Sequence, residues 1–511
     1  MATLPDWLTA LPDAETMRGV DRWAIEQQGI SGLALMERAG AGVASAVDVH
    51  ASDGPVAVLC GKGNNGGDGL VVARLLRESG RQVTVVCAAP PEDFQGDAAA
   101  NLARLPGPAP VSLSDGREAI ARASVIVDAL LGTGFAGEPH GPVAEAMAAV
   151  NAAPGAVLAV DVPSGVDAST GVVSGEAVRA TVTVTFHAAK PGLWIMPGKA
   201  HAGEVHTIDI GVPPGAPLDA PVGLISSRLA ERLPRRARDS TKFASGQVVV
   251  AGGSQGLTGA PRMACHAAMR AGAGYVIGCV PASLQSVLAT AATPELMTRG
   301  LAERDGSLAP EAVAEVIESI KPGGALALGP GLGRSDGAVA FARQLARQAE
   351  APLVLDADGL NAHAGHLREL SSRAAPTVLT PHAGELGRLL GLDSKQIERQ
   401  RLSHARAAAE QSGAIVVLKG DDTLIAAPEG TVAVSRGGSP ALATAGTGDV
   451  LTGVVAALLA QGLDPFTAAA AAVWLHAAAG REAARRHGAP EGVIASDVIE
   501  ALPAARARVG P

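Results

Sequence analysis

Short runs rich in Val, Ala and Leu that stop at glycine or aspartate recur along nearly the whole chain, and this punctuation constrains the fold more than any other feature. From Val56 the order is an apolar run VAVLC, a glycine-rich turn GKGNNGGDG, a helical stretch DGLVVARLLRES and a second apolar run QVTVVC. The runs are too short for core helices and lack the alternation of a half-solvated strand, so they read as strands buried on both faces. Such strands run parallel and need crossover helices between them, which predicts an α/β fold. SVIVDAL, AVLAVDV and TVTVTF continue the series, each ending in a polar, glycine-bearing turn. In an open parallel sheet these turns collect at the carboxyl edge and line a site there.

A proline-rich stretch, VPPGAPLDAPVGL (212–224), breaks the pattern and reads as a linker. A second series follows: QVVVAGG, YVIGCV, ALALGPGLG, PLVLDADGLN, TVLTPHAGE and AIVVLKG, with DTLIAAPEGTVAV as a hairpin turning at Glu429 and Gly430. The 511 residues therefore predict two large α/β domains, 1–222 and 223–511. Apolar residues make up 47% of the chain but aromatics only 2%, so the cores must be packed from Ala, Val, Leu and Ile.

A net charge of -9, with no basic cluster interleaved with aromatics, argues against a nucleic-acid partner. The N-terminal MATLPDWLTALPDAE has neither a basic start nor a long apolar core. No apolar run approaches the ~20 residues that span a bilayer, so a soluble, cytoplasmic protein without a membrane partner is expected. Cys60, Cys87, Cys265 and Cys279 show no CxxC pair or zinc spacing and are expected to be buried free thiols.

Two glycine-rich stretches suit phosphate chemistry. In LATAGTGDVLTG (442–453), Gly446 and Gly448 let the backbone approach an anion, and a helix starting near Asp449 aims its unpaired N–H groups at it. Asp449 is then either a helix cap or, beside a phosphate, a Mg²⁺ ligand or a base. GKGNNGGDG (61–69) also follows a strand and opens a helix, but it lacks both the Lys-Ser/Thr ending of a P-loop and the GxGxxG spacing. Its loop should share one sheet edge with DALLGTGFAGE (128–138) and DVPSGVDA (161–168). There Asn65, Asp128 and Ser164 offer hard oxygens suited to K⁺, Mg²⁺ or Ca²⁺. Asp161 ends an apolar strand, where burial tunes a carboxyl for acid/base work, or it caps a turn.

The series MRGVDRWAIEQQGISGLALMERAG, GKGNNGGDGLVVAR, DALLGTGF, VDVPSGVDASTG and TFHAAKPGL resembles the NAD(P)H-hydrate epimerase family across nearly the whole first half. The resemblance implies a Rossmann-like, doubly wound domain that interconverts the R and S hydrates of NADH and NADPH at C6 of the nicotinamide. It places Asn64, Asn65, Gly66, Gly67, Asp68, Gly132, Thr133, Gly134, Phe135, Ala136, Gly137, Glu138 and Asp161 against the substrate, with Asp161 catalytic. It assigns K⁺ to Asn65, Asp128 and Ser164. Lys190 is either part of this pocket or a solvated lysine.

The second half, from VVVAGGSQGLTGAPRMACHAAMRAGAGYV through LGPGLG, DADGLN, TPHAGE and LKGDDT to ATAGTGDVLTG, resembles the ADP-dependent NAD(P)H-hydrate dehydratases, a ribokinase-like fold. The resemblance places Lys419, Gly420, Asp421, Asp422, Thr423 and Gly448 on ADP. It puts Ala260, Gly331, His382 and Asp449 on the hydrate, with Asp449 as base and Mg²⁺ accompanying the nucleotide. It also implies a homo-oligomer. Related vitamin and sugar kinases carry Asn-x-x-Glu where this chain has His382 and Glu385, which favours the dehydratase over a small-molecule kinase fused to a dinucleotide-binding or sensing domain. Glu385 can place Mg²⁺ through water or cap a helix. The chain departs from the family pattern at Thr241, Ala383, Ser439, Ala441 and Ala445, while Gly448 and Asp449 are retained.

Overall fold

The computed structural model describes residues 4–291 and 293–507. The chain divides into two compact units, one over Ala10–Gly223 and the other over Pro5–Thr9 and the residues from Leu224 onward.

After an N-terminal strand β1 (Leu8–Ala10), the first unit is built on β2 (Val56–Cys60), β3 (Val83–Cys87), β4 (Val111–Ser112), β5 (Val125–Ala129), β6 (Ala156–Val160), β7 (Val182–Phe186) and β8 (Glu204–Ile208). They form one sheet in the order β4-β3-β2-β5-β6-β7-β8, and every pairing is parallel. Alternate residues of one strand face opposite helix layers. Val56, Val58 and Cys60 pack with Val20, Val43 and Leu70, while Ala57 and Leu59 pack with Ile120 and Met147. Burial on both faces explains why these strands read as continuous apolar runs. Strand order reverses between β2 and β5, so the crevice outside their carboxyl ends is the natural ligand position.

The second unit carries β1, β9 (Val222–Ile225), β10 (Gln247–Ala251), β11 (Tyr275–Pro281), β12 (Met297–Leu301), a small hairpin of β13 (Glu303–Arg304) and β14 (Ser307–Leu308), β15 (Ala325–Leu328), β16 (Leu353–Leu355), β17 (Thr377–Leu379), β18 (Ile415–Leu418), β19 (Leu424–Ala426) and β20 (Val432–Val434). Its main sheet runs β1-β9-β20-β19-β18-β17-β16-β15-β10-β11-β12. The strands from β18 to β12 are parallel, and β19 and β20 are antiparallel, joined by the expected turn with Gly430 at φ 97°. Here the order reverses between β10 and β15. The helix Thr447–Ala460 is apolar on nearly every side and buried almost throughout, as a central helix must be.

Several segments differ from expectation. Val222–Ile225, overlapping the end of the proline-rich stretch, is strand β9 in place of linker, because its residues are buried in the second sheet. The edge strands β8 and β12 were not foreseen, since EVHTI and MTRGL are largely solvent-facing and carry polar residues. The helix expected from Asp68 starts at Asn64, so the NNGGD loop is its first turn. Its glycines permit this: a Cβ on Gly66 would collide with the Gly61 carbonyl. All four cysteines are buried free thiols. Among the described residues no helix is long and apolar enough to cross a membrane.

Candidate active sites

A cavity of about 920 Å³ opens at the carboxyl ends of β2 and β5, where the strand order reverses. Asn64, Asn65, Asp68, Gly132, Thr133, Gly134, Phe135, Asp161 and Lys190 all line it. Gly66 and Gly67 instead let the helix pack against Gly61 and Met36, while Ala136, Gly137 and Glu138 lie exposed along the same loop.

Asp161 adopts φ 65°, a left-handed conformation that an aspartate tolerates better than most residues. Lys190 Nζ donates to Asp161 Oδ1 at 2.5 Å, Thr185 Oγ1 donates to the same oxygen at 3.0 Å, and Thr133 Oγ1 donates to Oδ2. Burial alone would raise the Asp161 pKa, but Lys190 and these donors outweigh it and hold the carboxyl below its ordinary value. Lys190, itself only 1% exposed, is thus a buried counter-ion and not a solvated lysine. The opposite holds for Asp68: burial first, then the charges of Asp161 and Asp21, push its pKa well up. Asp21, on the helix Ala14–Glu26, is raised for the same first two reasons, burial and Asp161. One cavity therefore holds a carboxyl biased toward its ionised form and two biased toward their protonated form, the division acid/base chemistry requires. Asp21 was not singled out from sequence, although it lies within the quoted MRGVDRW stretch.

Asn65, Asp128 and Ser164 converge beside the Leu130–Leu131 turn. Ser164 Oγ donates to Asp128 Oδ1 at 2.6 Å, Ser164 N donates to Oδ2 at 2.8 Å, and Asn65 Nδ2 donates to the Leu131 carbonyl at 2.9 Å. Burial lifts the Asp128 pKa to about 6 against these hydrogen bonds.

In the second unit, Asp449 sits in the first turn of Thr447–Ala460, whose N-cap is Gly446 at φ 90° with no side-chain cap. The first-turn N–H groups therefore face an open loop. Burial raises the Asp449 pKa to about 7, aided by Asp356 and Glu385 and opposed by Lys419. Lys419 Nζ lies 3.1 Å from Asp356 Oδ1 and 3.6 Å from Glu385 Oε2, and 3.6 Å from where a Cβ on Gly448 would stand. Burial disfavours its charge, but Asp356, Glu385 and Asp449 together hold its pKa above the ordinary value.

His382 is the N-cap of Ala383–Leu390. Its Nδ1 accepts from Gly384 N at 3.0 Å and Glu385 N at 3.4 Å, while Glu385 Oε2 accepts from His382 N at 2.9 Å, a reciprocal capping box. With Nδ1 accepting, the proton sits on Nε2, and burial lowers the pKa so that the ring is neutral. Glu385 is thus a helix cap that also faces Lys419. Ala260 and Gly331 meet as well: a Cβ on Gly331, at φ 61°, would stand 3.2 Å from the Ala260 Cβ.

The loop Lys419–Thr423 is braced from within. Thr423 Oγ1 donates to Gly420 O at 2.6 Å, and Asp421 Oδ1 accepts from Gly438 N at 3.1 Å. Asp422 is buried in an ion pair with Arg401 Nε at 2.9 Å, so its side chain faces the interior. Arg401 also donates to Lys419 O at 3.2 Å. Neither Arg401 nor Asp356 was singled out from sequence, because an arginine in RLSHARAAAE and the first aspartate of DADGLN carry no spacing that marks their partners.

Residues 32–192 match the family model described as YjeF-related protein N-terminus, and residues 248–504 match that described as NAD(P)H-hydrate dehydratase. The chain is 40% identical over 509 residues to the bifunctional NAD(P)H-hydrate repair enzyme of Moorella thermoacetica, covering 96% of each chain. It is 36% identical to that of Escherichia coli, over 96% of this chain and 92% of the other. It is also similar to the solved ADP/ATP-dependent NAD(P)H-hydrate dehydratase of Bacillus subtilis, at 27% identity and TM-score 0.48, covering 56% of this chain and 98% of that one. With full-length similarity in both halves and a built site in each, the chain belongs to the family of bifunctional NAD(P)H-hydrate repair enzymes.

Proposed function

We propose that residues 1–222 interconvert the R and S hydrates of NADH and NADPH at C6, and that residues 223–511 use ADP to dehydrate the S form back to NAD(P)H. The observation that carries this reading is the presence in one chain of two matched acid/base centres, the Asp161–Lys190 cavity and the Asp449–Lys419 loop.

In the first site, Asn64, Asp68 and the Gly132–Phe135 turn hold the hydrate, with Ala136, Gly137 and Glu138 at the rim. Epimerisation needs the C6 oxygen to leave with a proton and water to return to the other face, losing one. Asp68 keeps the proton to give, and Asp161, ionised beside Lys190, takes the one released. Asn65, Asp128 and Ser164, an all-oxygen donor set around the Leu131 carbonyl, suit K⁺. When bound, the ion supplies a positive charge beside the substrate loop.

In the second site, Lys419, the Gly420–Thr423 turn and Gly448 receive ADP, and Ala260, Gly331 and the Nε2–H of His382 face the hydrate. Asp449 takes the proton of the C6 hydroxyl, whose oxygen attacks the terminal phosphoryl group of ADP while AMP leaves. The C6–O bond of the new phosphate ester then breaks as C5 loses a proton, so phosphate leaves with that oxygen and the dihydropyridine is restored. Among the described residues no group of three or more acidic, His or Cys side chains converges to cage a metal, so Mg²⁺ fits as an ion carried on the nucleotide phosphates. The family resemblance adds a homo-oligomer to this reading, and the sequence adds the expected cytoplasmic location.

The test supplies mixed R and S hydrates, Mg²⁺ and either ADP or ATP, and follows reappearance of the reduced dinucleotide by absorbance. Complete conversion of both epimers with ADP is expected. No conversion with either nucleotide removes the dehydratase assignment, and ATP-dependent phosphorylation of a vitamin alcohol would favour the kinase alternative.

A further inference from the structure

Asp356 stands at the carboxyl end of β16, one residue before the short helix Ala357–Asn361, at the N-cap position. Aspartate is favoured there because its carboxylate accepts from the helix's free N–H groups. This one does not: its side chain makes no capping hydrogen bond. Both oxygens point elsewhere. Oδ1 accepts from Thr380 Oγ1 at 2.8 Å and from Lys419 Nζ at 3.1 Å, and Oδ2 accepts from Thr452 Oγ1 at 2.7 Å. The next residue, Ala357, adopts φ 48°, a left-handed conformation that a Cβ disfavours. Asp356 is only 2% exposed, so its charge depends on these three donors among the described residues. The local backbone is thus set against its own preferences, and what it achieves is a fixed direction for one carboxylate.

That direction ends at Lys419. Thr380 follows β17 and Thr452 lies on the helix Thr447–Ala460, so the carboxylate ties three elements to the lysine that borders Gly448. A flexible ammonium loses much rotamer freedom when it binds a phosphate, and a lysine already held by a buried carboxylate has lost it beforehand. We infer that Asp356 is a positioning residue, braced by Thr380 and Thr452, that holds the Lys419 ammonium over the Gly446–Asp449 loop to receive the terminal phosphate of the nucleoside diphosphate. The inference rests on the assignment of ADP to that loop. Asp356 acts on the nucleotide through Lys419, and its charge also helps raise the Asp449 pKa.

The experiment measures ADP affinity of the full chain directly by calorimetry, so that it holds whether or not turnover is seen. Asp356→Asn should weaken ADP binding roughly tenfold or more, the scale of losing one well-placed charge-assisted contact. If Asp356→Asn fails to fold, as judged by its melting transition, Thr452→Val carries the test with an expected loss of about threefold, and Thr452→Ser should recover affinity to within about twofold. Unchanged or tighter binding in these variants overturns the inference. A double-mutant cycle separates positioning from general stability. In a Lys419→Met background, Asp356→Asn should cost less than about twofold, whereas a full additive loss overturns the inference. If wild-type protein binds no ADP at all, it is the assignment of the nucleotide that fails, and the inference falls with it. If wild type binds ADP and the variants match it, only the role of Asp356 fails.

Discussion

Asp449 shows how much environment adds to a residue whose role sequence alone left open. Its place after GTG made it a cap, a Mg²⁺ ligand or a base. The structure finds it at an uncapped helix N-terminus, with Asp356, Glu385 and Lys419 as electrostatic neighbours, its pKa raised to about 7. A base must first lose its proton, so the dehydration rate should rise with pH through a midpoint near 7, and Asp449→Asn should abolish it. The same shift bears on stability. The unfolded carboxyl titrates at its ordinary 3.8, so between that value and about 7 the folded chain binds more protons than the unfolded one. Stability therefore falls as pH rises across this window. Thermal melts should show Asp449→Asn more stable than wild type at pH 8, with the gain shrinking at pH 5; an equal gain at both would contradict a raised pKa. Lys190 is the complementary lesson. Its charge in AAKPGL was plain, but only burial against Asp161 separates a counter-ion from a solvated side chain.

Secondary elements were most legible where both faces of a strand are buried, since β2 and β15 are apolar at every position and β5 and β10 at all but one. They were least legible at sheet edges: β8 and β12 have solvent on one side and admit His, Glu, Thr and Arg. The start of the helix at Asn64 was misread because Asn and Gly are poor helix formers, yet close approach to Gly61 outweighs that preference. Close approach also explains Gly453. A Cβ there would collide with the Ala264 carbonyl, so the helices Thr447–Ala460 and Gly259–Arg270 could not keep their present separation. Gly453→Ala should destabilise the second unit by about 1–3 kcal/mol despite the better helix propensity of alanine. Denaturant unfolding checks this, and a neutral or stabilising result would show that the helices can move apart at no cost.

For the molecule as a whole, the proposal makes the two sites complementary: a dehydratase selective for one epimer consumes both only when the other unit supplies it. Asp161→Ala should leave the S hydrate consumed at the wild-type rate and slow the R hydrate to its spontaneous epimerisation. Chiral separation of the residual hydrate during the reaction distinguishes the two, and an unchanged R rate would remove Asp161 from the base role. The order of residues decided the α/β class, the two successive sheets and the loops that carry chemistry, because buried parallel strands and glycine turns are local requirements written in consecutive residues. Folding decided what depends on side chains far apart in sequence. Asp161 meets Lys190, Asp422 meets Arg401, and Asp356 meets Lys419 and Thr452 only once separate strands and helices are packed. Charge states, and with them the division of acid from base, follow from burial and these partners, and no spacing along the chain encodes either.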